Sequence, residues 1–318
     1  MAADDTPDIG LYHWISTDPP ILFHSASGDQ DVGHYLPDER VYRLVMNLWH
    51  QTADQIEEYH NRWRAQRPRH RLLHLVNEAP ICEELQARGV PALFVNQNAF
   101  LDEQLFTIQP QVPRLFDAVY NARMALFKRH HLLREMRSAL LIGGLLASDD
   151  SQEYFDQLRL QLPQATFTHA DDPGHRSPGE VAQLLNSARV GVCLSAIEGT
   201  MFAATEYLLC GLPVVSTPSL GGRDIWFDPR FTRIVPADPQ AIADAVQELI
   251  SLNISPYLIR NATIARLTEH RQRFTSAVQR IHNVEGTGRD FAREFYTSFR
   301  NKIGTWRENR RVLEFRGR

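Results

Sequence analysis

Three cysteines in 318 residues, Cys82, Cys193 and Cys210, lie scattered in apolar surroundings. That is too few for a disulfide framework, and their spacing fits no zinc motif, so the sequence predicts a reducing compartment and no zinc site. No apolar run approaches the ~18–20 residues of a membrane-spanning helix. The first eight residues are acidic and polar and show no leader pattern, so a cytoplasmic protein is expected. The formal net charge of −4 excludes a general nucleic-acid binder. There is no internal repeat and no low-complexity tract. What remains, with 43% hydrophobic and 23% charged residues, is the composition of a globular protein long enough for two domains.

The chemistry concentrates in Val190–Gly222. A β-rich run, Val190–Leu194, precedes a loop with Ser195 and Glu198. A helical pattern over Met201–Cys210 ends at Gly211, and Pro213-Val214-Val215 opens the next strand. Glu198 and Glu206 stand eight positions apart, so both acids face one side if the helix begins near Glu198. Amides at a helix N-terminus take anionic oxygens, and carboxylates accept bonds from hydroxyls. This combination at the end of a parallel strand suits a sugar nucleotide.

Elsewhere the pattern alternates. Strands are expected at 116–121, 139–143, 165–168, 190–194, 213–216 and 232–235, with helices at 128–137, 152–160, 179–186, 201–210 and 239–249. Such alternation means a parallel sheet covered on both faces. In the front half, residues 1–36 read as irregular apart from a short strand at Ile21–Phe23. A long helix is expected over 38–67, and a β–α–β unit spans 72–95 with His74 and Asn77 toward the end of its first strand. A structural histidine is the alternative reading of His74. Asp29-Gln30-Asp31 reads either as a metal-binding D-x-D or as a surface Asx turn. The cluster Arg62–Arg71 and the basic tail after Arg300 suit either an anionic membrane surface or ordinary solvated helix ends.

Glu198, Gly199, Glu206, Gly211, Pro213, Val214, Val215, Gly221 and Gly222 together resemble the donor-site signature of retaining glycosyltransferases of family 4. Arg123, four residues, then Lys128 resemble that family's nucleotide-domain opening, and 96–106 resembles its interdomain segment. The resemblance implies an α/β GT-B fold, two Rossmann-like domains facing across a cleft, here with a short, atypical N-terminal domain. It implies an acceptor-side domain at 1–110, a nucleotide-sugar domain at 111–285 and C-terminal helices at 286–318 that pack back on the first. It implies transfer of a sugar from a UDP- or GDP-linked donor to a glycan, glycolipid or other acceptor with retention and without metal or other cofactor. Arg123 and Lys128 would neutralise the leaving diphosphate, and Glu198 would contact the donor sugar. Glu206 would take the ribose hydroxyls, and amides near Thr200, Met201 and Phe202 would hold sugar or phosphate oxygens. His74 corresponds to the family's N-domain histidine. Arg223 stands where relatives often carry Glu, suiting either a phosphate or acceptor contact or a salt bridge. The alternatives are an epimerase or inverting transferase of the same fold, or a non-catalytic sugar-nucleotide or glycan-binding protein that kept the donor domain and lost half of the acceptor domain.

Overall fold

The computed structural model describes residues 12–26, 31–145, 152–168 and 176–298. They form two compact units: residues up to Phe100 together with those from Leu267 onward, and Leu101–Arg266 between them. The break after Phe100 differs from the expected one at 110. The chain rejoins the first unit at Leu267, inside a helix, and not at 286.

The first unit holds a five-stranded sheet in the order β1 (Tyr12–Thr17), β2 (Pro20–Ser25), β3 (Tyr42–Met46), β4 (Arg71–Val76) and β5 (Ala92–Phe94). β1 and β2 pair antiparallel, and the remaining neighbours are parallel. Helices α1 (Ala53–Gln66) and α2 (Ala79–Ala87) cover one face, where Trp63 packs on Val45 and Leu72, and Cys82 and Leu85 on Val76. The other face packs on residues from the C-terminal stretch: Phe274 and Val278 of α7 (Pro256–Val284), and Phe291 and Phe295 of α8 (Phe291–Ser298). These meet Phe23, Leu44, Met46, Leu75 and Phe100.

Two expectations fail here. The helix expected over 38–67 is a strand, β3, followed by α1. Val41, Leu44 and Val45 fit a helical spacing, but they belong to a short apolar run buried on both faces, which is what an interior parallel strand requires. The helix starts only where Thr52 and Gln55 close a capping box. Residues read as irregular contain the β1–β2 hairpin, so this unit is more complete than its sequence suggests. Of the D-x-D tripeptide only Asp31 lies among the described residues. It makes the expected Asx turn, accepting from Gly33 N at 2.8 Å at the start of a short 3-10 turn, but the turn is buried and not on the surface, and Asp31 pairs with the fully buried Arg43 at 2.7 Å.

The second unit holds a six-stranded, all-parallel sheet. Its strands are β6 (Phe116–Asn121), β7 (Ala139–Ile142), β8 (Ala165–Phe167), β9 (Ala188–Cys193), β10 (Val214–Ser216) and β11 (Thr232–Ile234). Helices α3 (Gln152–Gln161), α4 (Pro178–Asn186), α5 (Phe202–Leu209) and α6 (Pro239–Ser251) alternate with them. Local chemistry sets their starts: Ser177 and Glu180 box α4, and Asp238 caps α6. The strand order is β11-β10-β9-β6-β7-β8. After β6 the chain moves outward through β7 and β8, then returns to β9 and moves outward the other way. The switch point therefore lies between β6 and β9, and the crevice beyond their C-terminal ends is where an open α/β sheet binds ligands. The first sheet runs monotonically and has no such point.

Candidate active site

β6 ends at Asn121 and β9 at Cys193, so the segments 122–130 and 194–201 border the switch point. The helix expected at 128–137 does not form. Two 3-10 turns, Leu126–Lys128 and His130–Leu133, replace it, broken by Arg129 at φ +54°. Nor does α5 begin near Glu198; it begins at Phe202, leaving Glu198 in the loop before it. The loop is fixed otherwise. Leu220 N donates to Ala196 O at 2.9 Å and Glu198 N to Leu220 O at 3.2 Å, a parallel bridge beside the double glycine. The approach is so close that a Cβ on Gly221 would stand 1.8 Å from the carbonyl oxygen of Glu198.

Glu198 is buried, and two cations converge on it. Lys128 Nζ contacts Oε1, and Arg223 lies 3.9 Å from Oε2. That second oxygen is buried without a hydrogen-bond partner. Arg223, 1% exposed, donates to Ser195 Oγ (3.0 Å), Cys193 O (3.0 Å) and Thr217 O (2.7 Å). Arg129 lies alongside, donating to Leu194 O at 2.5 Å and Thr217 Oγ1 at 2.7 Å. Arg123 and Lys128 lie over the ring of Phe127, at 5.1 and 4.9 Å from its centroid. Glu206 on α5 is buried and accepts from Asn121 Nδ2 at 3.2 Å, while the neighbouring Tyr207 hydroxyl accepts from Asn121 N at 2.6 Å. Gly199, Thr200 and Met201 are buried and Phe202 half-buried at the start of α5. Among the described residues, no three of His, Cys, Asp and Glu gather where a metal would sit, and no helix is long and apolar enough to cross a membrane. Cys193 is an inert core thiol, its pKa pushed up to about 11 by burial.

His74 departs from its expected place. It is the fourth residue of β4 and fully buried under α1, its Nε2 3.1 Å from His60 Nδ1 and its ring against Tyr59. Burial, then the charges of His60, His24 and Arg43, lower its pKa to about 3, so it is a neutral core imidazole with no open face. The basic tail after Arg300 lies outside the described residues.

Two features escaped the sequence reading. Asn121, the last residue of β6, was not singled out, although the end of the switch-point strand is where a ligand contact belongs. The second is a scarcity: of 34 cationic residues only Lys128 and Lys302 are lysines. In a chain that otherwise uses arginine, one of its two lysines stands at Glu198, where a compact point charge replaces a planar fork.

Residues 118–252 match the family model described as Glycosyl transferases group 1. That match runs from the third residue of β6 through β11 and takes in Asn121, Lys128, Arg129, Glu198, Glu206 and Arg223. Among solved structures, HepE from Anabaena in complex with UDP and glucose is 16% identical, over 76% of this chain and 77% of that one, with a TM-score of 0.53. Sucrose-phosphate synthase from Thermosynechococcus elongatus is 18% identical, over 78% and 69%, at 0.53. The pneumococcal O-GlcNAc transferase GtfA in complex with UDP and GlcNAc is 13% identical, over 76% and 53%, at 0.55. At these identities the likeness speaks for the fold, the α/β GT-B class of two Rossmann-like units. A search of curated proteins found no match.

Proposed function

We propose that the chain is a retaining glycosyltransferase that moves a sugar from a nucleotide-diphosphate donor to a glycan, glycolipid or other hydroxyl-bearing acceptor. One observation carries the reading: at the switch point, Lys128 and the buried Arg223 converge on a buried carboxylate that keeps one oxygen without a hydrogen-bond partner. Buried cations held before the ligand arrives are suited to a diphosphate leaving group, whose charge grows as the glycosyl bond breaks. Lys128, on a flexible stem, can turn from Glu198 to a phosphate oxygen, while Arg223 is fixed by its three acceptors. Arg123 adds a further cation beside Phe127. The open Glu198 oxygen would accept from a sugar hydroxyl, and Glu206, steadied by Asn121, from the ribose. With the departing phosphate oxygen taking the acceptor's proton on the same face, no separate protein base is required, and the cations need no metal to assist them. UDP is the favoured nucleotide because two of the similar structures hold it.

The test is a thermal-shift series with UDP, GDP, ADP, CMP and dTDP, followed by nucleotide release from the matching sugar donors. UDP should stabilise the protein, by about 2.7 kcal/mol at ~100-fold over its Kd. Glu198→Ala and Lys128→Ala should abolish release while leaving the fold intact. Unchanged turnover in both variants, or a wild-type protein that binds UDP but releases it from no donor with any acceptor, refutes the catalytic reading. An inverted anomeric centre in the product refutes retention.

A further inference from the structure

Lys128 needs a fixed backbone to present its amine, and the next residue is conformationally costly. Arg129 stands at φ +54°, ψ +43°, a left-handed conformation that non-glycine residues seldom adopt. Such strain persists where surrounding contacts over-determine it. Here the contacts are explicit. The half-buried side chain reaches from this strained backbone to the end of β9 through Leu194 O at 2.5 Å, and past the end of β10 through Thr217 Oγ1 at 2.7 Å. Thr217 Oγ1 in turn donates to the same Leu194 carbonyl at 3.0 Å, so the fork closes a small ring of bonds. On the other side of Lys128 the Tyr120 hydroxyl donates to its carbonyl at 2.8 Å. The peptide linking Lys128 and Arg129 is thus tied to β6 through Tyr120 and to β9 and β10 through the guanidinium. Glu198 hangs from the end of β9, four residues after Leu194.

We infer that Arg129 is a positioning residue: a tether that bends the chain into the left-handed region and locks Lys128 in register with Glu198. The inference rests on the reading that Lys128 meets the donor diphosphate, but its structural core can be tested without turnover. The anchor to β9 and β10 is hydrogen-bonded, and its link to the lysine is covalent. The guanidinium works because it belongs to the residue next to Lys128, and a free guanidinium in the same place would bridge β9 and β10 without holding the lysine.

The experiment compares the full-length wild type with Arg129→Gly, which keeps the left-handed backbone accessible and removes the tether. Because the chain has only two lysines, lysine side-chain labelling gives two signals, assigned by Lys302→Arg. The expected result is a Tm close to wild type and a Lys128 signal moved toward that of free lysine. Donor turnover should show a kcat lowered about ten- to a hundredfold with little change in donor KM, the loss that follows from misplacing a reacting group by ~1 Å. Added ethylguanidinium should not restore kcat. An unmoved Lys128 signal overturns the inference, and so does recovery of kcat with ethylguanidinium, which would mean that any bridging cation suffices. If Arg129→Gly does not fold, Thr217→Val removes one acceptor of the fork and should move the signal in the same direction by less; no movement there is equally fatal. If the wild type turns over no donor, the glycosyltransferase reading fails by itself and the Lys128 signal alone decides the tether.

Discussion

Replacing Gly221 by alanine tests how rigidly the site is built. The glycine sits at φ +114°, and a Cβ there would lie 1.8 Å from the Glu198 carbonyl oxygen, 2.7 Å from its carbon and 2.9 Å from Gly199 O. Real Cβ contacts essentially never fall below 3.0 Å, so the 196–199 strip must move by about 1.2 Å. The atoms in the way are backbone, which cannot swing aside as a side chain would. The strip is also the one that carries Glu198 to Lys128 and Arg223. A displacement of ~1 Å at a reacting group costs on the order of a hundredfold in rate. Left-handed strain alone would cost roughly 1–2 kcal/mol of stability, and it needs a control. Gly89 supplies one, with φ +76° and nothing within 4 Å of the added carbon. Gly89→Ala should lower stability by about 1–2 kcal/mol in urea unfolding and leave donor turnover unchanged. Gly221→Ala should lose at least that much stability and about a hundredfold in kcat. If the two variants turn over alike, the close approach of the 221 loop does not position Glu198 and the reasoning fails.

Two further outcomes are expected. Burial holds the imidazoles of His24, His74 and His130 at pKa values of about 3, against about 6.5 unfolded. Their folded pKa values are depressed, so the stability they allow is complete above about pH 6.5 and drains away as pH falls toward 3; each should cost about 2 kcal/mol at about pH 5. Urea midpoints that do not shift between about pH 7 and about pH 5 would show that these rings are not buried neutral. Glu206→Gln keeps the shape but not the charge beside Asn121, and it should weaken UDP binding by about tenfold, or about 1.4 kcal/mol, in a titration. Equal affinity would remove Glu206 from the nucleotide site.

The second sheet was readable because its strands are short apolar runs closed by glycine, proline or polar residues, and each expected strand from 116 to 235 lies within about two residues of the observed one. The first sheet was not. Val41-Tyr42-Arg43-Leu44-Val45-Met46 satisfies both periodicities, and its one charge is neutralised by a buried partner twelve residues away, Asp31. No local pattern announces that pairing. The grouping of Glu198 with Lys128 was implied by the family resemblance alone. The route by which they meet was not, because it runs through a loop bridge to Leu220 and a residue, Arg129, in a conformation that its side chain does not suggest. His74 misled because position along a strand does not tell which face it takes; alternation with the core-facing Leu73 and Leu75 puts it under α1.

The first unit is made from both ends of the chain, and this orders its birth on the ribosome. Phe23, Leu44, Met46 and Leu75 have no cover until Phe274, Val278, Phe291 and Phe295 have been synthesised. The second unit, contiguous from Leu101 to Arg266, emerges whole before then. The half of the protein that is translated first is therefore the last able to close its core, and its nascent sheet must wait with one greasy face open while the second unit completes itself.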